Sequence, residues 1–314
     1  MKPLFLDSDQ VNQHLPLNEL ITGIEASFVN FSNKVEGLVQ PSRLVMKVQN
    51  EDLFLVKPVI STPDKVLCTK LLTLFPENEA RYQVPSHQAV VTLFDSDTGS
   101  LMGVMDGVAV TDLRTAAATA VARKYLAPPG DDNILCIVGT GHQAVSHLKL
   151  FKAVSKYKEI RVCSRGSPER ATEFAAAWDV RSAASVRDGV RDADIVVTVT
   201  RSSADPVVLY EWLKPGCLVA IVGSPVPSQR DVDTPTMVNS MVVADSTESS
   251  MKSSGDVIQS ACKVHGELGD VISGKLKVED WGRTRVFKSN GMAIQDLVAA
   301  KIVITNFRNS EEAS

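Results

Sequence analysis

Asn133-Ile-Leu-Cys-Ile-Val-Gly-Thr-Gly-His-Gln-Ala144 is the stretch on which the fold turns: an apolar run that reads as a buried strand passes directly into Gly139-x-Gly141-x-x-Ala144. The first glycine permits a tight strand-to-helix turn, and the second lets backbone approach a pyrophosphate. The small Ala144 leaves room for the helix to pack on the strand. Phosphates would meet the unpaired N–H groups at the start of that helix. Glycines also mark ordinary turns, so the surroundings must decide. Here a helix-length segment, Val145 to Lys156, follows, and a second apolar strand, Ile160-Arg-Val-Cys-Ser164, completes a βαβ unit. A dinucleotide-binding turn is the better reading.

The end of that second strand bears on which dinucleotide fits. An acidic residue there would bind the ribose hydroxyls of NAD and repel an added phosphate. Ser164-Arg165-Gly166-Ser167 instead offers two hydroxyls, a guanidinium and backbone N–H groups. The planar fork of arginine suits phosphate, so NADPH is expected, with NADH weaker. The alternative is that Arg165 is a solvated surface residue.

Outward from this centre, 314 residues suffice for two domains, and 44% hydrophobic with 22% charged residues is the composition of an ordinary soluble globular protein. The net charge of −4 and the lack of a Lys/Arg-rich tail argue against nucleic acid or an anionic membrane as principal partner. Cys68, Cys136, Cys163, Cys217 and Cys262 are scattered, four of them in or beside apolar runs, which reads as reduced core thiols. No CxxC spacing or His/Cys cluster suggests a metal. The apolar run at the N-terminus is too short for a signal peptide and no segment approaches membrane-spanning length. A cytoplasmic protein is the expectation, with Asn309 to Ser314 a frayed polar tail.

From Asn133 to about Ser246, strand candidates at Ile134–Val138, Ile160–Cys163, Ile195–Thr200, Leu218–Val222 and Met241–Ala244 alternate with helical or turn segments. Such alternation predicts a doubly wound parallel sheet. The carboxyl end of the strand from Ile195 would lie at the mouth of the cofactor crevice. Before Asn133, strand-like runs at Arg43–Val48, Val66–Phe75 and Gln88–Phe94 suggest a separate α+β unit. It leads into an Ala-rich helix, Thr111 to Leu126, closed by Pro128-Pro129-Gly130. Met292 to Val303 is a further helix, which pattern alone assigns to neither unit.

Several residues could hold a substrate. Lys70 shares its strand face with Val66, Cys68, Leu72 and Leu74. A lysine there is costly to bury unless paired or bound to an anion, and the alternative is one snorkelling out at a sheet edge. Arg114, at the start of the Ala-rich helix, would sit where partial positive charge disfavours a cation, and so is better explained facing an anion. With Arg43, these groups could clamp a small carboxylate, although nothing in their spacing shows that they converge. His87 shares strand parity with Ala89, Val91 and Leu93, and reads as a satisfied core histidine more readily than as an acid/base group.

These segments together resemble the ornithine cyclodeaminase/mu-crystallin family. The resemblance is carried by Gln40-Pro-Ser-Arg43, Thr69-Lys70-Leu71, Val84-Pro-Ser-His-Gln-Ala89, Met105-Asp-Gly107, Arg114-Thr-Ala-Ala117, Gly139-x-Gly-x-Gln143-Ala144, Ser254-Gly-Asp-Val257, Val286-Phe-Lys-Ser289 and Gly291-Met-Ala293. They span almost the whole chain. The resemblance implies an α/β homodimer in which a central Rossmann domain, residues 119–289, interrupts a discontinuous α+β dimerisation and substrate domain, residues 1–118 and 290–314. It implies that Arg43, Lys70 and Arg114 bind the substrate carboxylate. It places NADPH against Thr115, Gly139, Gly141, His142, Gln143, Ser164, Arg165, Gly166, Thr200 and Gly223.

In one place the chain departs from the family's cyclodeaminases. Those carry a catalytic aspartate shortly after the strand corresponding to Leu218–Val222, whereas Val222-Gly-Ser-Pro-Val-Pro227 supplies no carboxylate. Pro225 stands at that position, with Ser224 one residue before it. The resemblance therefore implies reduction of cyclic ketimine carboxylates by NADPH, with Lys70 the candidate proton donor. The alternatives it leaves are a lyase using bound NAD catalytically, and NADPH-dependent binding of thyroid hormone or a lens structural role.

Overall fold

A computed structural model describes residues 2–200 and 204–313. The chain divides into two compact units, Met1–Arg114 with Met292–Ser314, and Thr115–Gly291.

The first unit is built on a seven-stranded sheet. Its strands are β1 (Leu4–Leu6), β2 (Leu38–Val39), β3 (Leu44–Lys47), β4 (Leu53–Ser61), β5 (Val66–Leu74), β6 (His87–Asp95) and β7 (Leu101–Asp106), in the order β1-β7-β6-β5-β4-β2 with β3 also pairing β4. All neighbours are antiparallel except β1 and β7. In β5, Val66, Cys68, Lys70 and Leu72 are buried and alternate with half-buried residues, the period-two pattern of a sheet with one face on a core. Between β1 and β2 lie the helices α1 (Ser8–Gln13) and α2 (Leu17–Ser32). Asp7 and Gln10 form a reciprocal capping box that starts α1. Leu20, Ile24, Ser27 and Phe28 form the buried stripe of α2 at helical spacing. A short helix, α3 (Asn78–Tyr82), bridges β5 and β6.

Helix α4 (Gly107–Leu126) follows β7, and the division between the units falls within it. It begins four residues ahead of the predicted Thr111, because Asp106 accepts the N–H of Ala109 at 2.7 Å and caps the earlier turn. A Cβ on Gly107 would lie 2.8 Å from the backbone of Ala89, so only glycine allows β6 to approach the helix start so closely.

The second unit carries an eight-stranded, wholly parallel sheet. Its strands are β8 (Ile134–Val138), β9 (Glu159–Cys163), β10 (Arg181–Ser182), β11 (Ile195–Thr198), β12 (Leu218–Ile221), β13 (Met241–Ala244), β14 (Gly266–Glu267) and β15 (Arg285–Lys288). The order β10-β9-β8-β11-β12-β15-β13-β14 is doubly wound and reverses direction between β8 and β11. Its helices are α5 (His142–Val154), α6 (Pro168–Trp178), α7 (Val186–Val190), α8 (Thr234–Asn239), α9 (Thr247–Ser253), α10 (Gly255–Ser260) and α11 (Leu268–Ile272). Helix α5 starts at His142, three residues before the predicted Val145, directly behind Gly141.

The sequence reading did not find β4 or β15. Strand β4 contains Pro58, which argues against a central strand. Its outer neighbours are two short strands, β3 against Leu53–Val56 and β2 against Ile60–Ser61, and Pro58 falls in the gap between them. Strand β15 begins and ends on charged residues that are nonetheless buried. Arg285 donates to the carbonyls of Leu126 (2.6 Å), Arg283 (2.8 Å) and Gly216, and Lys288 donates to that of Gly223. Backbone carbonyls satisfy these cations, so charge does not mark the strand as exposed.

The chain closes with α12 (Ala293–Glu312), which packs on α2 and on β5 of the first unit and so settles the destination left open by pattern. A Cβ on Gly23 of α2 would lie 2.7 Å from Val298 Cγ1, so that glycine permits the close helix crossing. Among the described residues, no helix is long and apolar enough to cross a membrane. Four of the five cysteines are buried thiols and Cys262 is half-buried.

Candidate functional site

In the first unit the buried face of the sheet meets an aspartate. Lys70 is 1% exposed, in the middle of β5 between β4 and β6, so it does not snorkel from an edge. Its Nζ donates to Asp296 Oδ1 at 2.8 Å and to Thr111 Oγ1 at 2.9 Å. Arg114 Nε donates to the same Asp296 oxygen at 2.9 Å, and its Nη1 to Gln295 Oε1 at 3.0 Å. The placement of Arg114 corrects the sequence argument. It lies two turns inside α4 rather than in the first turn, so the helix dipole does not bear on it, while the anion it faces is Asp296.

Two more cations join them. Lys57 of β4 stands directly opposite Lys70 in the antiparallel register and is 7% exposed. Arg43, half-buried ahead of β3, is near enough to act on Lys57 electrostatically. Lys70 and Arg114 thus converge on one carboxylate, with Lys57 near enough to act on it as well.

The titration behaviour follows from this crowding. Burial lowers the Lys70 amine to about 8, with Arg114 acting in the same direction and Asp296 opposing it. Burial would raise the Asp296 carboxyl, but Lys70, Arg114 and Lys57 outweigh that and hold it below its ordinary value. His87, half-buried at the start of β6, is lowered to about 4 by burial and then by Lys70, Arg114 and Lys57. It is a neutral imidazole at neutral pH. Among the described residues no side chain or carbonyl hydrogen-bonds to its ring, so it is not the satisfied core histidine that strand parity suggested.

In the second unit Gly139 ends β8 with φ +132°, and a Cβ on it would lie 2.7 Å from the Val199 carbonyl oxygen. Gly141 is the N-cap of α5 and has no side-chain cap; open space surrounds the place of its missing Cβ. His142 and Gln143 form the first helical turn, and the fully buried Ala144 allows α5 to rest on the sheet. This is a cradle of backbone N–H groups with no side chain across it, which fits a pyrophosphate.

Ser164, Arg165 and Gly166 follow β9 directly. Arg165 is exposed and donates to the Asp205 carbonyl at 3.1 Å, and no atom lies within 4 Å of a Cβ placed on Gly166. Thr200 follows β11 and Gly223 follows β12, both at carboxyl ends of strands. Thr115 is buried in α4. Behind this edge, Thr198 donates to Asp231 at 2.7 Å, and Asp231 N–H donates to Asp256 at 2.8 Å. Burial and then Asp256 raise the Asp231 carboxyl. Ser224 is fully buried with φ 55°, so the loop lacking a family carboxylate turns inward there.

Sequence reasoning missed Asp296, Gln295 and Lys57. A signal for the first was present: Ala293, Leu297, Ala300 and Ile304 mark the buried stripe of α12, and Asp296 lies on it. Lys57 falls between Leu55 and Val59 on the inward face of β4, but its strand had not been recognised.

Comparison with known proteins gives concordant matches. The ornithine cyclodeaminase/mu-crystallin family is matched over residues 1–311. The ketimine reductase mu-crystallin of Rattus norvegicus is 42% identical, over 98% of this chain and 99% of its own. A Delta(1)-pyrroline-2-carboxylate reductase of Bacillus cereus is 29% identical, over 95% and 94%. Among solved structures, the Thermococcus litoralis Delta(1)-pyrroline-2-carboxylate reductase in complex with NADH and L-proline superposes with a TM-score of 0.90, at 28% identity over 98% of each chain.

Proposed function

Because the chain belongs to the ornithine cyclodeaminase/mu-crystallin family, we propose that it is a nicotinamide-dependent reductase that converts cyclic ketimine carboxylates, of the piperideine and pyrroline carboxylate type, to cyclic amino acids. The observation that carries this reading is the buried cluster in which Lys70 and Arg114 share the one carboxylate of Asp296. A surplus of buried positive charge is costly unless an anion completes it. A small carboxylate does so.

Arg43, Lys70 and Arg114 hold that carboxylate. Asp296, by fixing Lys70 and Arg114 at 2.8 and 2.9 Å, sets their positions before substrate arrives. The bound cofactor supplies the hydride. A protonated imine accepts hydride far more readily than a neutral one, so the protein's task is to present the iminium and keep water out. Lys70, lowered to about 8, remains mostly protonated at neutral pH yet gives up a proton more easily than an ordinary lysine. It is our candidate proton donor.

We assign the cofactor to Thr115, Gly139, Gly141, His142, Gln143, Ser164, Arg165, Gly166, Thr200 and Gly223, and prefer NADPH to NADH. Support comes from the exposed Arg165 guanidinium at the end of β9, with no acidic residue in Ser164-Arg165-Gly166-Ser167. We further propose a cytosolic homodimer formed through the first unit. Val39, Leu44, Val45, Met46, Val48 and Ile60 are exposed apolar residues on and beside its edge strands, a face that a second copy would cover.

The decisive assay is NADPH oxidation against cyclic ketimines, keto acid and amine mixtures, and ornithine. Turnover of the ketimines is expected. Proline formed from ornithine without net NADPH oxidation would replace the reductase by a lyase. Thyroid hormone bound with NADPH but no imine turned over would replace it by a binding protein.

A further inference from the structure

One face of the parallel sheet changes character at its edge. Val196, Val219, Val286 and Val242 stand level across β11, β12, β15 and β13, and all four are fully buried. Two residues on, the same face carries Thr198, Ile221, Lys288 and Ala244 in one row, and Thr198 and Lys288 are as buried as the valines. Asp231, from the segment after β12, and Asp256, from α10, meet this row and are fully buried too.

Thr198 Oγ1 donates to Asp231 Oδ2 at 2.7 Å, and Thr200 Oγ1 donates to Asp231 Oδ1 at 3.4 Å. Asp256 Oδ1 accepts the N–H groups of Asp231 and Val232 at 2.8 and 3.0 Å, which fixes the backbone that carries Asp231. Its Oδ2 has no hydrogen-bond partner among the described residues and faces Lys288 Nζ at 3.8 Å. Lys288 in turn donates to the Gly223 carbonyl. Burial and then Asp256 raise the Asp231 carboxyl, against Lys288, Thr198 and Ser224, so groups from both strand ends act on it.

Two buried carboxyls and a buried lysine add little to stability, since apolar residues of the same volume often serve as well or better. Their place points to another use. In a doubly wound sheet a dinucleotide lies outside the carboxyl ends of the strands, across the point where strand order reverses. The turn at Gly139 and Arg165 at the end of β9 account for the diphosphate and the adenosine half. The nicotinamide half then falls beyond the reversal, over the ends of β11 and β12, which Thr200 and Gly223 follow.

Resting on the reductase reading, we infer that Asp231 is a positioning residue for the nicotinamide half of the cofactor: with Asp256 and Lys288 it holds Thr200 and the Gly223-Ser224 turn in place, and so sets the ring from which hydride leaves. A displacement of about 1 Å at the reacting atoms slows a reaction about a hundredfold, while the grip on the rest of the cofactor is kept.

The test titrates wild type, Asp231→Ala and Thr198→Val by calorimetry with NADPH and with ADP-ribose 2′-phosphate, the same molecule without its nicotinamide. Thermal melting is the folding control. Thr198→Val keeps the side-chain shape and extends the apolar face, so it keeps the fold even where Asp231→Ala does not. Wild type should bind NADPH about tenfold or more tightly than ADP-ribose 2′-phosphate. Both variants should bring that ratio towards one, with affinity for ADP-ribose 2′-phosphate unchanged. In NADPH oxidation, kcat should fall by about tenfold to a hundredfold with the Michaelis constant for the ketimine unmoved. Deuterium at the transferred position of NADPH should slow the variants more than wild type. A folded Thr198→Val protein with the wild-type ratio, or one that loses affinity equally for both ligands, overturns the positioning role. A ratio that collapses in the variants when wild type turns over no imine upholds it and removes the reductase reading. Imine turnover with an unmoved ratio does the reverse.

Discussion

Replacing Asp296 by Asn keeps the shape of the side chain and removes its charge. In the native protein Asp296 Oδ1 receives Lys70 at 2.8 Å and Arg114 at 2.9 Å, with both cations at most 4% exposed and the carboxylate fully buried. The amide oxygen can still accept hydrogen bonds, but two buried cations lose their shared counter-charge. Breaking a buried ion pair costs roughly 3–5 kcal/mol, against a total stability of roughly 5–15 kcal/mol for a domain. The denaturation midpoint should therefore fall by about 10 °C.

Two further readouts separate a charge effect from general damage. Lys70 now stands at about 8 with Asp296 raising it, so in Asp296→Asn it should titrate lower and be largely neutral at pH 7. The alkaline limb of the pH–rate profile should move down accordingly. A saturating small carboxylate such as proline should then restore part of the lost stability, about 2.7 kcal/mol at a hundred times its dissociation constant. Thermal and urea unfolding with and without proline, together with the pH profile, measure all three. An Asp296→Asn protein as stable as wild type, with its alkaline limb unmoved, would refute the account of the cluster.

Three other outcomes are expected. Arg165→Ala should weaken NADPH binding by about 1.5–3 kcal/mol while leaving NADH nearly unchanged; equal losses in fluorescence titrations with the two cofactors would remove the phosphate role of that guanidinium. In wild type, the Michaelis constant for a ketimine carboxylate should rise as pH passes about 8, because Lys70 is charged below that value and neutral above it; Lys70→Met should lose turnover at neutral pH and regain part of it in acid, where the imine arrives protonated, and full neutral activity in that variant would exclude both roles of Lys70. Val45→Asp on β3, 45% exposed in the single chain, should shift sedimentation from dimer to monomer without unfolding the subunit, and an unchanged sedimentation coefficient would rule that face out as the interface.

What the sequence determined by itself was local and periodic. The run from Ile134 into Gly139 and Gly141 specifies a strand, a turn that a Cβ would obstruct, and a helix start, because these depend on neighbours a few residues apart. The alternation of apolar strands and helices specifies the doubly wound sheet in the same way. Lys70 and Arg114 stood out as cations in apolar company, and their residue types alone asked for an anion. The protein's own anion lies 226 and 182 positions away in sequence, at Asp296. Its helix carries no local sign of which sheet it will cover, and only tertiary packing brings it to β5. Lys57 became visible only once β4 was paired with β5, because Pro58 disguises the strand and the register alone sets the two lysines opposite each other. Arg285 and Lys288 hide β15 for a related reason: carbonyls far away in sequence, at Leu126, Gly216 and Gly223, help satisfy them, so a pattern that reads as solvated is in fact buried inside the sheet.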